Sequence, residues 1–313
     1  MYGYIGRRIL ATLPVLGVVA IVVFAILHLS PGDPAALIAG DHATPQQIAD
    51  VRSKLGLDRP LYAQFAVWLG SLMRGDLGVS IFSNQPVTRL LLQRLEPTLS
   101  LTITTSIVMV LLAVPIGVIA AWRAESWIDH AVMTLAVLGF SLPIFVVAYL
   151  LIYALAMSLN LFPVQGYKPL SEGIAAWAHH LVLPSLTLGL SFMALIARIT
   201  RASVLEVLSQ DYIRTARSKG LGNRQLLLDH ALANAAVPIV TIIGVGVALL
   251  LGGVVVTESV FAIPGIGRLV VDAILTRDYP VIQGVLLIFS GVYVLLNLLI
   301  DLIYIVLDPR ISY

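Results

Sequence analysis

The sequence predicts an all-α integral membrane protein with six transmembrane helices, and three observations carry that prediction. The chain of 313 residues is 59% hydrophobic and only 12% charged, whereas a soluble domain carries about 25% charged residues. Its mean hydropathy is +0.96. Its apolar residues gather into stretches long enough to cross ~30 Å of hydrocarbon, which takes ~20 residues at ~1.5 Å each. No soluble fold hides so much apolar surface, so lipid must act as part of the solvent.

The stretches lie near residues 9–29, 99–122, 131–157, 182–200, 237–257 and 282–307. The first follows Arg7 and Arg8 and is too long for a signal-peptide core, and no small-x-small cleavage site precedes the polar segment after it. It reads as a retained span. The order is an N-terminal helix (1–30), an extracytoplasmic insert (31–97), a five-helix core (98–307) carrying a cytoplasmic loop (201–236), and a tail (308–313). Pro115, Pro143 and Pro184 lie inside spans and are expected to kink them.

The insert has helical signals of its own. Thr44-Pro45-Gln46-Gln47 reads as an N-cap, a first-position proline and a polar first turn. Ile48, Val51 and Leu55 recur at helical spacing and Gly56 stops the run. A second helix is expected over Leu61 to Met73.

Orientation follows from the basic residues of short loops. Arg7, Arg8, Arg123, Arg198, Arg201, Arg214, Arg217, Lys219, Arg224 and Arg310 fall on one side, against Lys168, Arg268 and Arg277 on the other. Both termini are therefore expected in the cytoplasm.

Several chemistries are excluded or unsupported. The chain has no cysteine, so disulfides, thiolate catalysis and Cys-ligated metals are ruled out. His179-His180 is the only histidine pair, without carboxylates at ligand spacing, so no metal site is assigned. A net charge of +2 is too small to argue for nucleic acid. No G-x-x-x-x-G-K-[ST] occurs, so the chain cannot itself cradle ATP phosphates, and no cofactor is expected in it.

The loop between the fourth and fifth spans is the most informative segment. Val204, Leu205, Val207 and Leu208 recur at helical spacing, Tyr212, Ile213 and Ala216 follow, Gly220 breaks the run, and Leu226, Leu227 and Leu228 resume it. This reads as two short amphipathic helices joined at Lys219-Gly220-Leu221-Gly222. Such a basic segment either lies on anionic lipid or presents a compact knob to a groove on a partner.

Asp211-Tyr212-Ile213-Arg214-Thr215-Ala216-Arg217-Ser218-Lys219-Gly220-Leu221 resembles the "EAA" loop of binding-protein-dependent ABC importer permeases, closest to the B-type subunit of the peptide/nickel branch. Matching segments run along nearly the whole chain: Pro31-Gly32-Asp33-Pro34, Gly75-Asp76-Leu77-Gly78, Ser141-Leu142-Pro143, Leu183-Pro184-Ser185, Phe261-Ala262-Ile263-Pro264-Gly265-Ile266-Gly267, Arg277-Asp278-Tyr279-Pro280 and Asp308-Pro309-Arg310. The loop departs from the general pattern, with Arg214 in the place of the glutamate, Thr215 in that of the first alanine, and no Ile-x-Leu-Pro element at its usual distance.

The resemblance implies a MetI-like bundle of a type I ABC importer in a bacterial inner membrane. It implies a second homologous permease, two cytoplasmic ATPase subunits that bind the ATP, and an extracytoplasmic solute-binding protein. The expected solute is a di- or oligopeptide, with glutathione or a nickel chelate as alternatives. Asp211, Tyr212, Arg214, Thr215, Ala216, Arg217, Lys219, Gly220 and Leu221 would form the ATPase-coupling surface.

Ser141, Glu258, Asn297 and Asp301 are candidate path residues. Glu258 reads either as a headgroup-level charge or as a group seen by the solute. Asn297, Asp301, Tyr304 and Asp308 share one helical face, where Asp301 reads as a paired interface carboxylate or a proton relay. A secondary transporter would show inverted repeats or several buried charges. An intramembrane enzyme would show a nucleophile–base or metal constellation. The sequence displays neither pattern.

Overall fold

The fold follows from where a chain in lipid can place its backbone polar groups: inside helices. The computed structural model describes residues 2–29, 35–36, 43–54 and 56–307. The expectations at Pro31–Pro34, Leu55 and Asp308–Arg310, together with the tail 308–313, lie outside these. Long helices are α1 (Tyr2–Leu29), α4 (Val87–Trp122), α7 (Ile174–Leu208), α10 (Ala236–Val260) and α12 (Tyr279–Leu307), and the helices α5 (Trp127–Ser141) and α6 (Ile144–Leu151) lie between α4 and α7. Shorter helices are α2 (Pro45–Lys54), α3 (Leu61–Met73), α8 (Asp211–Ser218), α9 (Asn223–Gln225) and α11 (Ile266–Thr276). Among the described residues, five helices are long and apolar enough to cross a membrane, or six if α5 and α6 form one broken span.

Span lengths differ from the sequence reading in informative ways. α4 begins at Val87 and α7 runs on to Leu208, because an apolar count sees only the hydrocarbon-depth part of a longer helix. The third span is not one continuous helix. Leu142 is extended (ψ 133°), Pro143 starts the next helix, and the axis bends by 110°. A proline clashes with helical geometry at the preceding residue, which is why Leu142 leaves the α region. A π-helical turn, Ile152–Ser158, then completes the span.

The chain divides into two compact units, residues 1–94 with 269–294 and residues 95–268 with 295–313. In the first, α2 starts on the expected cap. Thr44 Oγ1 accepts from the Gln47 N–H and Gln47 Oε1 accepts from the Thr44 N–H, a reciprocal capping box. Gly56 stops the run at φ +68°. Phe65 and Trp68 of α3 pack on Phe24 of α1. The Asp278 carboxylate, 3% exposed, accepts from the Ser80 hydroxyl and the Ile81 and Phe82 N–H groups. Gly78 lies beside Pro280. Two motifs 202 residues apart in the chain, Gly75–Gly78 and Arg277–Pro280, are thereby joined.

The second unit holds the main core. Leu101 and Met109 of α4, Leu188 and Ile196 of α7, and Leu250 and Val254 of α10 are buried together. The opposite face of α4 shows Leu99, Ile103, Ile107 and Leu111 at 44%, 54%, 52% and 66% exposure. A stripe of that size demands lipid or another apolar chain around it. α4 and α7 meet closely at Gly117, where an added Cβ would lie 2.6 Å from the Ala197 carbonyl oxygen and 2.7 Å from Thr200 Cβ. Small residues allow such backbone approach in lipid. Gly117→Ala is therefore expected to destabilise the chain by about 1–3 kcal/mol through overpacking, read as a lower denaturation midpoint of the purified protein.

Candidate functional site: the α8 surface

α7 ends where Ser209 and Gln210 turn the chain. The Ser209 N–H donates to Leu205 and Glu206 carbonyls, and Gln210 is extended at ψ 148°. The sequence reading of one amphipathic helix before Gly220 is corrected here. Val204 to Leu208 belong to α7, and α8 is a separate helix of 8 residues.

α8 has a fixed back and an open front. Ile213 is 1% exposed and seats the helix. The Arg217 guanidinium lies 6.0 Å from the Trp122 ring centroid, a cation–π contact to the end of α4. Asp211 sits in the first turn and Arg217 in the last, each complementing the helix dipole. Asp211, Tyr212, Arg214, Thr215 and Lys219 are exposed, Tyr212 at 45%. Arg214 pairs loosely with Asp211 at 3.6 Å, with side chains 78% and 96% exposed, so solvent screens the pair. Leu208, Ser209, Ile213, Arg214, Arg217 and Ser218 line a concavity of about 360 Å³ beside it.

Gly220 ends α8 for a specific reason. The Leu221 N–H donates to the Ala216 carbonyl and the Gly220 N–H to the Arg217 carbonyl, the bond pair of a Schellman cap. That cap requires a left-handed residue, and Gly220 has φ +85°. α9 follows and passes through the π-helical turn Leu226–Leu232 toward α10. Leu226 and Ala231 there are fully buried.

The candidate path residues fall in dissimilar places. Ser141 is exposed at the end of α5 and its hydroxyl bonds back to the Val137 carbonyl. Asn297 is exposed and Asp301 half-buried, one turn apart on α12. Glu258 requires a correction, because its side chain is enclosed by the chain and not presented to lipid headgroups or to a solute. It is 0% exposed. It accepts from the Thr98 hydroxyl at 2.6 Å and the Arg268 N–H at 2.9 Å, while Thr98 Oγ1 accepts from the Ile266 N–H. A Cβ on Gly265 would fall 2.0 Å from its carboxylate. Glu258 thus satisfies the first turn of α11 and sets the shape of the Phe261–Gly267 turn, including Ala262 at φ +51°.

Sequence reasoning missed the residues that hold the site rather than display it. Ile213 and Trp122 carry signals only in three dimensions. Asp129 and Arg201 were legible as a pair of opposite charges at two span ends assigned to the same side. They meet in the fold with N–O distances of 2.5 Å. Gly220→Val should strain the cap by about 1–2 kcal/mol. Faster amide hydrogen exchange confined to residues 211–222 is the expected readout.

Comparison with known proteins is consistent along the whole chain. The model of the binding-protein-dependent transport system inner membrane component matches residues 113–313, and the corresponding N-terminal model matches residues 1–102. A protein of Sinorhizobium fredii described as a probable peptide ABC transporter permease is 53% identical over 99% of both chains. The glutathione transport system permease GsiC of Escherichia coli K12 is 44% identical over 100% of both. A structure of the MetNI methionine ABC transporter in an inward-facing conformation aligns with a TM-score of 0.58 at 18% identity, covering 71% of this chain and 97% of that one, which shows a shared fold. The chain belongs to the binding-protein-dependent transport system inner membrane component family, the membrane-embedded permeases of ABC transporters.

Proposed function

We propose that this permease forms half of a translocation path for peptides, and that separate ATPase subunits drive it by docking on α8. The α8 geometry carries the proposal. A short helix seated by Ile213 and capped at Gly220 projects the exposed Tyr212, Arg214, Thr215 and Lys219. A rigid knob with a fixed back and a polar front suits a groove on a soluble partner. An idle lipid-surface helix would instead turn its apolar face to the membrane.

In this reading α8 faces the cytoplasm with both termini, as the excess of Arg and Lys on that side supports. A second homologous permease covers the apolar faces that the isolated chain exposes, and an extracytoplasmic binding protein delivers the solute. The peptide class is supported by relatives named for peptides and for glutathione, itself a tripeptide. ATP is held by the partner subunits, with no cofactor or metal in this chain. Lipid surrounds the remaining apolar surface.

Tagged chain expressed with its genomic neighbours should recover an ATPase subunit. The double variant Arg214→Glu/Lys219→Glu should lower that recovery about tenfold while leaving the membrane level of the chain unchanged, since reversed charge at a rim chiefly slows and weakens association. Unchanged recovery would remove α8 from the docking surface.

A further inference from the structure

The contact between α5 and α7 stands apart from the rest of the second unit. Arg201 of α7 grips Asp129 of α5 with two parallel bonds, Nε to Oδ1 and Nη2 to Oδ2, each 2.5 Å. The Asp129 side chain is 4% exposed and that of Arg201 25%. Asp129 Oδ2 also accepts the Glu125 N–H at 3.0 Å, so the carboxylate is amply satisfied. Such bidentate pairs fix orientation as well as distance. A point ammonium would not, so lysine is not an equivalent of Arg201.

The position of the pair gives it a consequence. Arg201 lies in the last third of α7, and α8 begins three residues after α7 ends. Asp129 lies in the first turn of α5, and the helix runs on to Ser141, twelve residues further or about 18 Å at the helical rise, before it breaks at Leu142-Pro143. Near that break α5 touches α7 a second time, where a Cβ on Gly139 would come within 3.3 Å of the Leu190 carbonyl oxygen. Two points of attachment, one ionic and one close backbone approach, make α5 and α7 a single lever. The 110° joint bends that lever, and beyond it Ala148 of α6 packs into the same core as Leu188 of α7 and Val254 of α10.

We propose that Asp129 and Arg201 are positioning residues for transport: their ion pair carries displacement of α8 through α7 and α5 into the hinge at Leu142-Pro143. The proposal rests on the reading of α8 as the ATPase-docking helix. Stiff elements with two discrete arrangements are what transmit motion between sites.

The test uses the complete complex in lipid. The chain has no cysteine, so introduced pairs take spin labels at defined places. One pair, Leu135→Cys with Glu206→Cys, reports on α5 against α7. The other, Tyr149→Cys with Glu206→Cys, reports across the hinge. Trapping with ATP and vanadate should leave the first distance distribution unchanged and shift the second. In Arg201→Lys and Asp129→Asn the first distribution should broaden and the second should lose about half its shift or more. If Asp129→Asn does not assemble, Arg201→Lys decides. The proposal is overturned if the first pair shifts in the parent, if the second does not, or if the variants behave as the parent. Failure of the ATPase to co-purify with the parent would instead strike the docking reading itself.

Discussion

A hydrocarbon interior offers neither donors nor acceptors, and the rest of this structure depends on that constraint. Every backbone amide at membrane depth must be satisfied within its own helix. Apart from the break at Leu142-Pro143, irregular backbone lies toward the span ends, where each turn needs a dedicated partner. Three buried carboxylates supply much of this. Asp278 holds the turn at Ser80–Phe82, Glu258 satisfies the first turn of α11, and Asp129 holds the turn before α5 while gripping Arg201. A buried carboxylate without partners would be severely unfavourable, so each fixes its surroundings tightly.

The same logic explains why the shared motifs look as they do. In the sequence, Phe261–Gly267 and Arg277–Pro280 stand out only as a family resemblance. In the fold they are anchoring turns. Gly265 has no side chain because a Cβ would overlap the Glu258 carboxylate. Ala262 and Arg277 occupy left-handed conformations that the surrounding bonds enforce. By contrast, the loop around α8 is rigid at its back and plain at its front, as expected of a surface whose shape must persist while another protein binds it.

The six spans, the two insert helices and the stop at Gly220 were legible in the sequence, because apolar length, the Thr44–Gln47 cap and a left-handed glycine are local signals. The missing parts were non-local. Apolar counts cannot see that α7 continues past residue 200, since its last turns are amphipathic. Pro143 announces a disturbance but not a bend of 110°. Glu258 looked like a surface charge because its partner Thr98 lies 160 residues away. Ile213 looked like one apolar residue among several, whereas it is the seat of α8.

The central claim is that the front of α8 meets an ATPase while Ile213 and Trp122 hold its back. A photo-reactive phenylalanine analogue at Tyr212, incorporated in the full complex and illuminated in native membranes, tests it most directly. The account predicts a protein adduct containing an ATP-binding subunit from Tyr212 and none from the same probe at Ile213. Adducts with lipid alone at Tyr212 would contradict it.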